Sequence, residues 1–110
     1  MVNRYRGEIS ARLDGRELVL CLTLGALAEL EERFSSQNLN ELVQRFSSGT
    51  LRASDMMHIV AAGLRGAGHT FSDDEVAQMQ AEGGAVGYAR IVGALLEATF
   101  GGDDPSRPKP

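Results

Sequence analysis

The stretch "LDGRELVLCLTLGALAELEERF", residues 13–34, changes its hydrophobic period part-way along. Up to Thr23 the apolar side chains fall on every second position, the spacing of a half-buried strand. From Leu24 they recur at helical spacing, and no Gly-Pro loop separates the two patterns. The upstream residues complete the reading. Over residues 5–13, Tyr5, Ile9, Ala11 and Leu13 share one face with Gly7, and Arg4, Arg6, Glu8, Ser10 and Arg12 share the other. Asp14-Gly15 stands between the two alternating runs and is a strong signal for a two-residue type I′ hairpin turn. That loop length sets Leu13 opposite Arg16, Ala11 opposite Leu18, Ile9 opposite Leu20, and Tyr5 opposite Leu24. All apolar pairs then lie on one face, and Arg12 meets Glu17 on the wet one. A slip of one residue would mix the faces.

An isolated hairpin is marginal in water and needs cover for its apolar face. The abrupt change of period supplies it. Thr23 can cap a helix whose Leu27, Leu30 and Phe34 fold back over the row Leu18, Leu20, Leu22 and Leu24. The opening therefore reads as a β-β-α unit.

Four more helices follow in the pattern. Ser35-Ser36-Gln37 breaks the chain. Asn38 with Glu41 resembles a capping box, and Leu39, Leu42, Val43 and Phe46 make a helical stripe ending at Gly49. A third helix spans about Ser54 to Leu64 or Arg65, with Gly66-Ala67-Gly68 terminating it. Ser72 with Glu75 opens a fourth, flanked by Phe71 and Val76 in the positions of a hydrophobic staple, and Gly83-Gly84 is expected to end it. A fifth spans about Val86 to Phe100. The tail GGDDPSRPKP has no apolar anchor and is expected to be disordered, leaving residues 1–101 as the one domain. The fold class expected is α+β, an N-terminal β-hairpin packed on a small bundle of about five α-helices.

Composition excludes several functions. The 110 residues suit one small domain. A net charge of −4 argues against a nucleic-acid binder, which needs a basic face to displace counterions from phosphates. Cys21, the single cysteine, cannot form an intrachain disulfide and points to a reducing compartment. The polar N-terminus MVNRYRGEIS lacks the apolar core of a signal peptide, and no apolar run approaches the ~20 residues that span a bilayer. A cytoplasmic protein is expected, with neither nucleic acid nor membrane as partner.

No constellation of side chains carries recognisable chemistry. His58 and His69 have no second Cys or His at zinc spacing. Asp73, Asp74 and Glu75 complement the dipole of a helix start, and no calcium loop surrounds them. Gly63-Leu64-Arg65-Gly66-Ala67-Gly68 follows a helix rather than a strand and lacks the Lys-Ser or Lys-Thr of a phosphate loop, so it reads as a helix C-cap and turn. Cys21 faces away from the leucine row, with no catalytic partner legible. Arg4, Arg6 and Arg12 lie on the solvated face of the hairpin, which could dock an acidic partner. No catalytic, cofactor or metal site is expected. Helices three and five are apolar almost all round. Either they form the middle of the domain, or part of their surface meets another chain. In the second reading the contact residues are Met56, Met57, Val60, Leu64, Tyr88, Ile91, Val92 and Leu95.

Three segments, "RGEISARLDGRELVLCLTLGALAELEERF", "LRASDMMHIVAAGLRGAGHTFSDDEV" and "GYARIVGALLEATFG", together resemble the small gene transfer agent family of alphaproteobacteria, which is related to phage tail assembly chaperones. The resemblance covers roughly residues 5–101 and rests most on the order of Leu22-Thr23-Leu24-Gly25-Ala26-Leu27 and Gly63-Leu64-Arg65-Gly66-Ala67-Gly68 with the acidic residues that follow each. It implies a non-enzymatic assembly factor of a phage-like tail, without cofactor, that binds the tape-measure or tail tube protein of the same gene cluster and is capable of self-association. The alternative it implies is a structural tail component retained in the particle.

Overall fold

The computed structural model describes residues 7–34 and 39–101. Strands β1 (Glu8–Leu13) and β2 (Arg16–Cys21) form an antiparallel hairpin. Five helices follow: α1 (Leu24–Arg33), α2 (Leu39–Ser47), α3 (Ala53–Gly66), α4 (Asp73–Gln78) and α5 (Gly84–Leu96), with a π-helical turn at Glu97–Gly101. The architecture is the expected α+β hairpin and helix bundle.

Turn chemistry sets the register. Asp14 and Gly15 both adopt positive φ, 55° and 75°, as a type I′ turn requires. Leu13 pairs with Arg16, Arg12 with Glu17, Ala11 with Leu18 and Ile9 with Leu20, as the spacing dictates. The expected Tyr5–Leu24 pair lies partly outside the described residues. Tyr5 lies outside the described residues, and Leu24, 85% exposed, has left the sheet to become the first residue of α1. Thr23 is the reason. Its Oγ1 accepts from the Ala26 N–H at 3.1 Å, so the chain turns into the helix there and Leu24 projects outward.

The core lies where the leucine face of the hairpin meets the bundle. Leu13, Leu20, Leu30, Leu42, Ile59, Leu64, Val76 and Leu95 are among its fully buried members. At its centre is α3, packed against β2, α1, α4 and α5. Two of its glycines make that packing possible. A Cβ on Gly66 would stand 2.0 Å from the Cys21 carbonyl oxygen, and one on Gly63 would stand 2.8 Å from Leu95 Cδ2. The glycine-rich stretch thus does more than end a helix, because Gly63 and Gly66 let α3 approach β2. Cys21, expected on the outer face, is buried.

The fourth helix is shorter than its pattern suggests. Ser72 and Glu75 form the expected capping box, with Glu75 N–H to Ser72 Oγ at 3.1 Å and Ser72 N–H to Glu75 Oε1 at 2.8 Å. Yet α4 ends at Gln78 rather than at Gly83-Gly84. The chain there pairs with the hairpin tip. Asp14 N–H donates to Gln80 O and Gln80 N–H to Asp14 Oδ1, both at 2.9 Å, and Ala81 bridges Leu13. The fifth helix leaves regular α geometry at Glu97, and Thr99 Oγ1 donates to Leu95 O at 2.7 Å across that change. The Asn38 cap and the C-terminal tail fall outside the described residues.

Candidate functional site

An apolar groove of about 360 Å³ opens where the first half of α3, α4 and the start of α5 converge. Met56 and Met57 form one wall with Ala53 and Ser54, and Val76, Ala77, Ala85 and Tyr88 form the other. Local sequence builds each side. Asp55, only 4% exposed, accepts from the Arg52 N–H at 3.0 Å and from Arg45 Nη2 at 2.7 Å. It therefore fixes the start of α3 and ties it to α2, setting the two methionines at the rim. On the other side, Tyr88 donates its hydroxyl to Met79 O at 2.6 Å. That bond satisfies a carbonyl freed where α4 stops and holds the α4–α5 connection in place. Burial, with the nearby charge of Asp14, pushes the Tyr88 phenol above its ordinary pKa, so it remains a neutral donor.

A second, polar cleft lies between α1, α3 and the start of α4, lined by Glu29, Arg33, Arg65, Ser72, Asp73 and Asp74. Arg33 pairs with Asp73, and Arg65 with Glu29; Arg65 Nη2 also lies 3.1 Å from Asp73 Oδ1. The hydrogen bond to Glu29 raises the pKa of Arg65 against the opposing effect of its partial burial, with Asp73 adding to the rise. His58 Nδ1 is 3.7 Å from Asp73 Oδ2, too far for a hydrogen bond. The cluster clasps three helices through matched charges. Among the described residues, no group of three or more His, Cys, Asp or Glu side chains could hold a metal ion, and no helix is long and apolar enough to cross a membrane.

The structure divides the eight expected contact residues. Met56, Met57 and Tyr88 meet at the apolar groove. Ile91 lines a different groove, beside β1. Val60, Leu64, Val92 and Leu95 are fully buried in the core and present no surface. The periodicity of an all-apolar helix does not say which residues another helix will cover. Of the residues that complete the groove, Val76 is marked in the sequence only as a staple of the α4 start, and Ala77 and Ala85 have no signal of their own. They come together because α4 is cut short and the chain doubles back at Gly83, where φ is 91°.

Residues 6–102 match a family model described as phage tail tube protein, GTA-gp10. Comparison with curated proteins and with solved structures gave no match.

Proposed function

The chain belongs to the phage tail tube protein, GTA-gp10, family, and on that premise we propose that it acts as a tail assembly chaperone of a phage-like gene transfer agent. In this reading it binds the tape-measure or tail tube protein before either is built into the tail, and it performs no catalysis. The family itself describes a structural component of tails rather than an enzyme class.

The observation that carries the chaperone reading is the open groove rimmed by Met56, Met57 and Tyr88. An assembly chaperone must cover apolar surface on an unassembled partner and release it later. Unbranched methionine side chains adapt to an irregular partner at little strain. The rest of the surface supports a transient contact. The large hydrophobic side chains exposed among the described residues are Leu24, Val86 and Phe100, on α1, α5 and the π-helical turn. A permanent ring subunit would be expected to bury roughly 2,000 Å² or more in its contacts, with an apolar patch to match.

The second reading is a subunit retained in the tail tube, and the wording of the family description favours it. One experiment separates the two. In the chaperone reading, deleting the gene gives heads without tails, while washed wild-type particles lack the protein. Stoichiometric recovery of the chain in those particles would replace the chaperone reading with the structural one. Co-expression supplies the direct arm: the chain should raise the solubility of its tape-measure or tail tube partner, and Met57→Glu should abolish that rescue while preserving the fold.

A further inference from the structure

We propose that α2 is a displaceable strap, and that the site beneath it accepts an amphipathic helix of a partner protein in its place. The hairpin and α1, α4 and α5 pack broadly around α3, and α2 has no contact of that breadth with any of them. Among the described side chains of α2, Leu42 alone is buried. Val43, Arg45 and Phe46 are half-buried, and Asn40, Glu41, Gln44 and Ser47 are exposed. Among the described residues, the backbone bonds at its C-terminal end return to the helix itself. Ser48 N–H donates to Gln44 O, Gly49 N–H to Phe46 O and Thr50 N–H to Arg45 O, so all three travel with α2. An element with few buried contacts and self-contained backbone bonding opens at a lower cost than global unfolding.

The seam under α2 is already partly open. A groove of about 360 Å³ runs between Val43, Phe46 and Ser47 on one side and Leu96, Glu97 and Phe100, at the end of α5, on the other. Phe46 stands on Gly93, where an added Cβ would lie 2.8 Å from its Cζ. The charges also permit exchange. Removing one member of a buried ion pair is costly when the other is left unpaired. Asp55 is not left so. Arg45 Nη2 lies 2.7 Å from its Oδ2, but Arg52 Nε stands 3.8 Å from the same oxygen, and the Arg52 N–H donates to it at 3.0 Å. The largely exposed Arg52 is thus placed to take over when Arg45 leaves.

The helix now in the site defines its replacement. There is room for a helix because α2 lies there, and α2 presents Leu42, Val43 and Phe46 with Arg45 reaching Asp55. The matching ligand is therefore a helix with apolar residues at i, i+1 and i+4 and an arginine at i+3, held as amphipathic helices are held in apolar grooves. The site is lined by residues other than those of the Met56–Tyr88 groove, and it stands whether or not the chain is a chaperone.

Native-state hydrogen exchange on the full chain measures the opening. Amides of Val43–Ser47 should exchange about a hundredfold faster than those of Ile59–Leu64 in α3. Arg45→Gln should speed the α2 amides about tenfold more and leave those of α3 unchanged. The probe of the site is a synthetic peptide with the sequence of residues 39–50, standing in for the partner's helix. The tethered α2 competes with it at a high effective concentration, so the peptide is also added to a Phe46→Ala chain, whose own strap is weakened. It should bind that variant about tenfold more tightly than the wild type and shift the amide resonances of Asp55, Gly93 and Leu96. The same peptide carrying Arg45→Glu should not bind. The proposal is overturned if α2 and α3 amides exchange together, if the peptide binds neither chain or both equally, or if the Arg45→Glu peptide binds as well as the parent. A dimer of the free chain that the parent peptide dissociates would overturn it too, in favour of α2 exchange between two copies.

Discussion

Replacing Gly66 with Ala should destabilise the protein, although alanine is the better helix former. In a helix interior the change gains up to about 1 kcal/mol in propensity. Here the added methyl would stand 2.0 Å from the Cys21 carbonyl oxygen and 3.2 Å from its carbon. A carbon–oxygen contact needs more than 3 Å, so α3 must move about 1 Å or more off β2. That shift opens the leucine layer around Leu20, Ile59 and Leu64, all fully buried. Overpacking against backbone typically costs about 1–3 kcal/mol and occasionally more, and the loss of contact in a close-packed layer places this case at the upper end. The net expectation is a loss of about 2 kcal/mol. For a chain of 110 residues, with an unfolding entropy of about 2 cal/mol/K per residue, that lowers Tm by roughly 8–10 °C. Gly25→Ala is the control. At Gly25 the nearest neighbour of a new Cβ is Thr23 Oγ1 at 3.9 Å, so the same substitution should be neutral or stabilise by up to about 1 kcal/mol. Circular dichroism melts of the two variants, with urea titrations for the free energies, measure both. A Gly66→Ala protein as stable as the wild type would refute the close approach of α3 to β2 and the packing role given to this glycine.

Three further outcomes are expected. Gly15→Val places a β-branched side chain where φ is 75° and should cost on the order of 1–2 kcal/mol; an unchanged melting temperature would remove the type I′ turn. Ser72→Ala deletes the acceptor for the Glu75 N–H and should cost about 1 kcal/mol, read as faster amide exchange over Asp73–Val76. Tyr88→Phe orphans Met79 O and should cost about 1 kcal/mol. The folded pKa of Tyr88 lies above its unfolded value, so its contribution is complete below about pH 10 and is lost as pH rises through the folded value. Melts between neutral and strongly alkaline pH should therefore show a Tyr88-dependent decline that Tyr88→Phe lacks.

Which apolar residues reach the surface was beyond sequence reasoning, and the apolar helices illustrate why. Their pattern marks Met56, Met57, Val60, Leu64, Tyr88, Ile91, Val92 and Leu95 alike as unusually apolar. Exposure then depends on which neighbour covers each one. Four went to the core, three to the apolar groove and one to the edge of β1. The polar clasp was equally hidden, because Arg65 and Glu29 are separated by 36 positions and Arg33 and Asp73 by 40.

What the sequence by itself determined is local. The Asp14-Gly15 turn and the alternation around it settle the hairpin register, because slipping by one residue would turn every leucine to water. Thr23 and Ser72 settle two helix starts, because each offers an oxygen to an N–H only three residues away. What the tertiary structure decided is where these local preferences lose to partners distant in sequence. The fourth helix gives up its expected length because Gln80 finds Asp14, 66 positions back, and exchanges helical bonds for bonds to the hairpin tip. Gly63 and Gly66 serve α3 packing rather than only a turn because β2 happens to lie against them. Hydrogen bonds and close contacts of this kind depend on proximity in space, and no local propensity encodes that proximity until the chain has closed on itself.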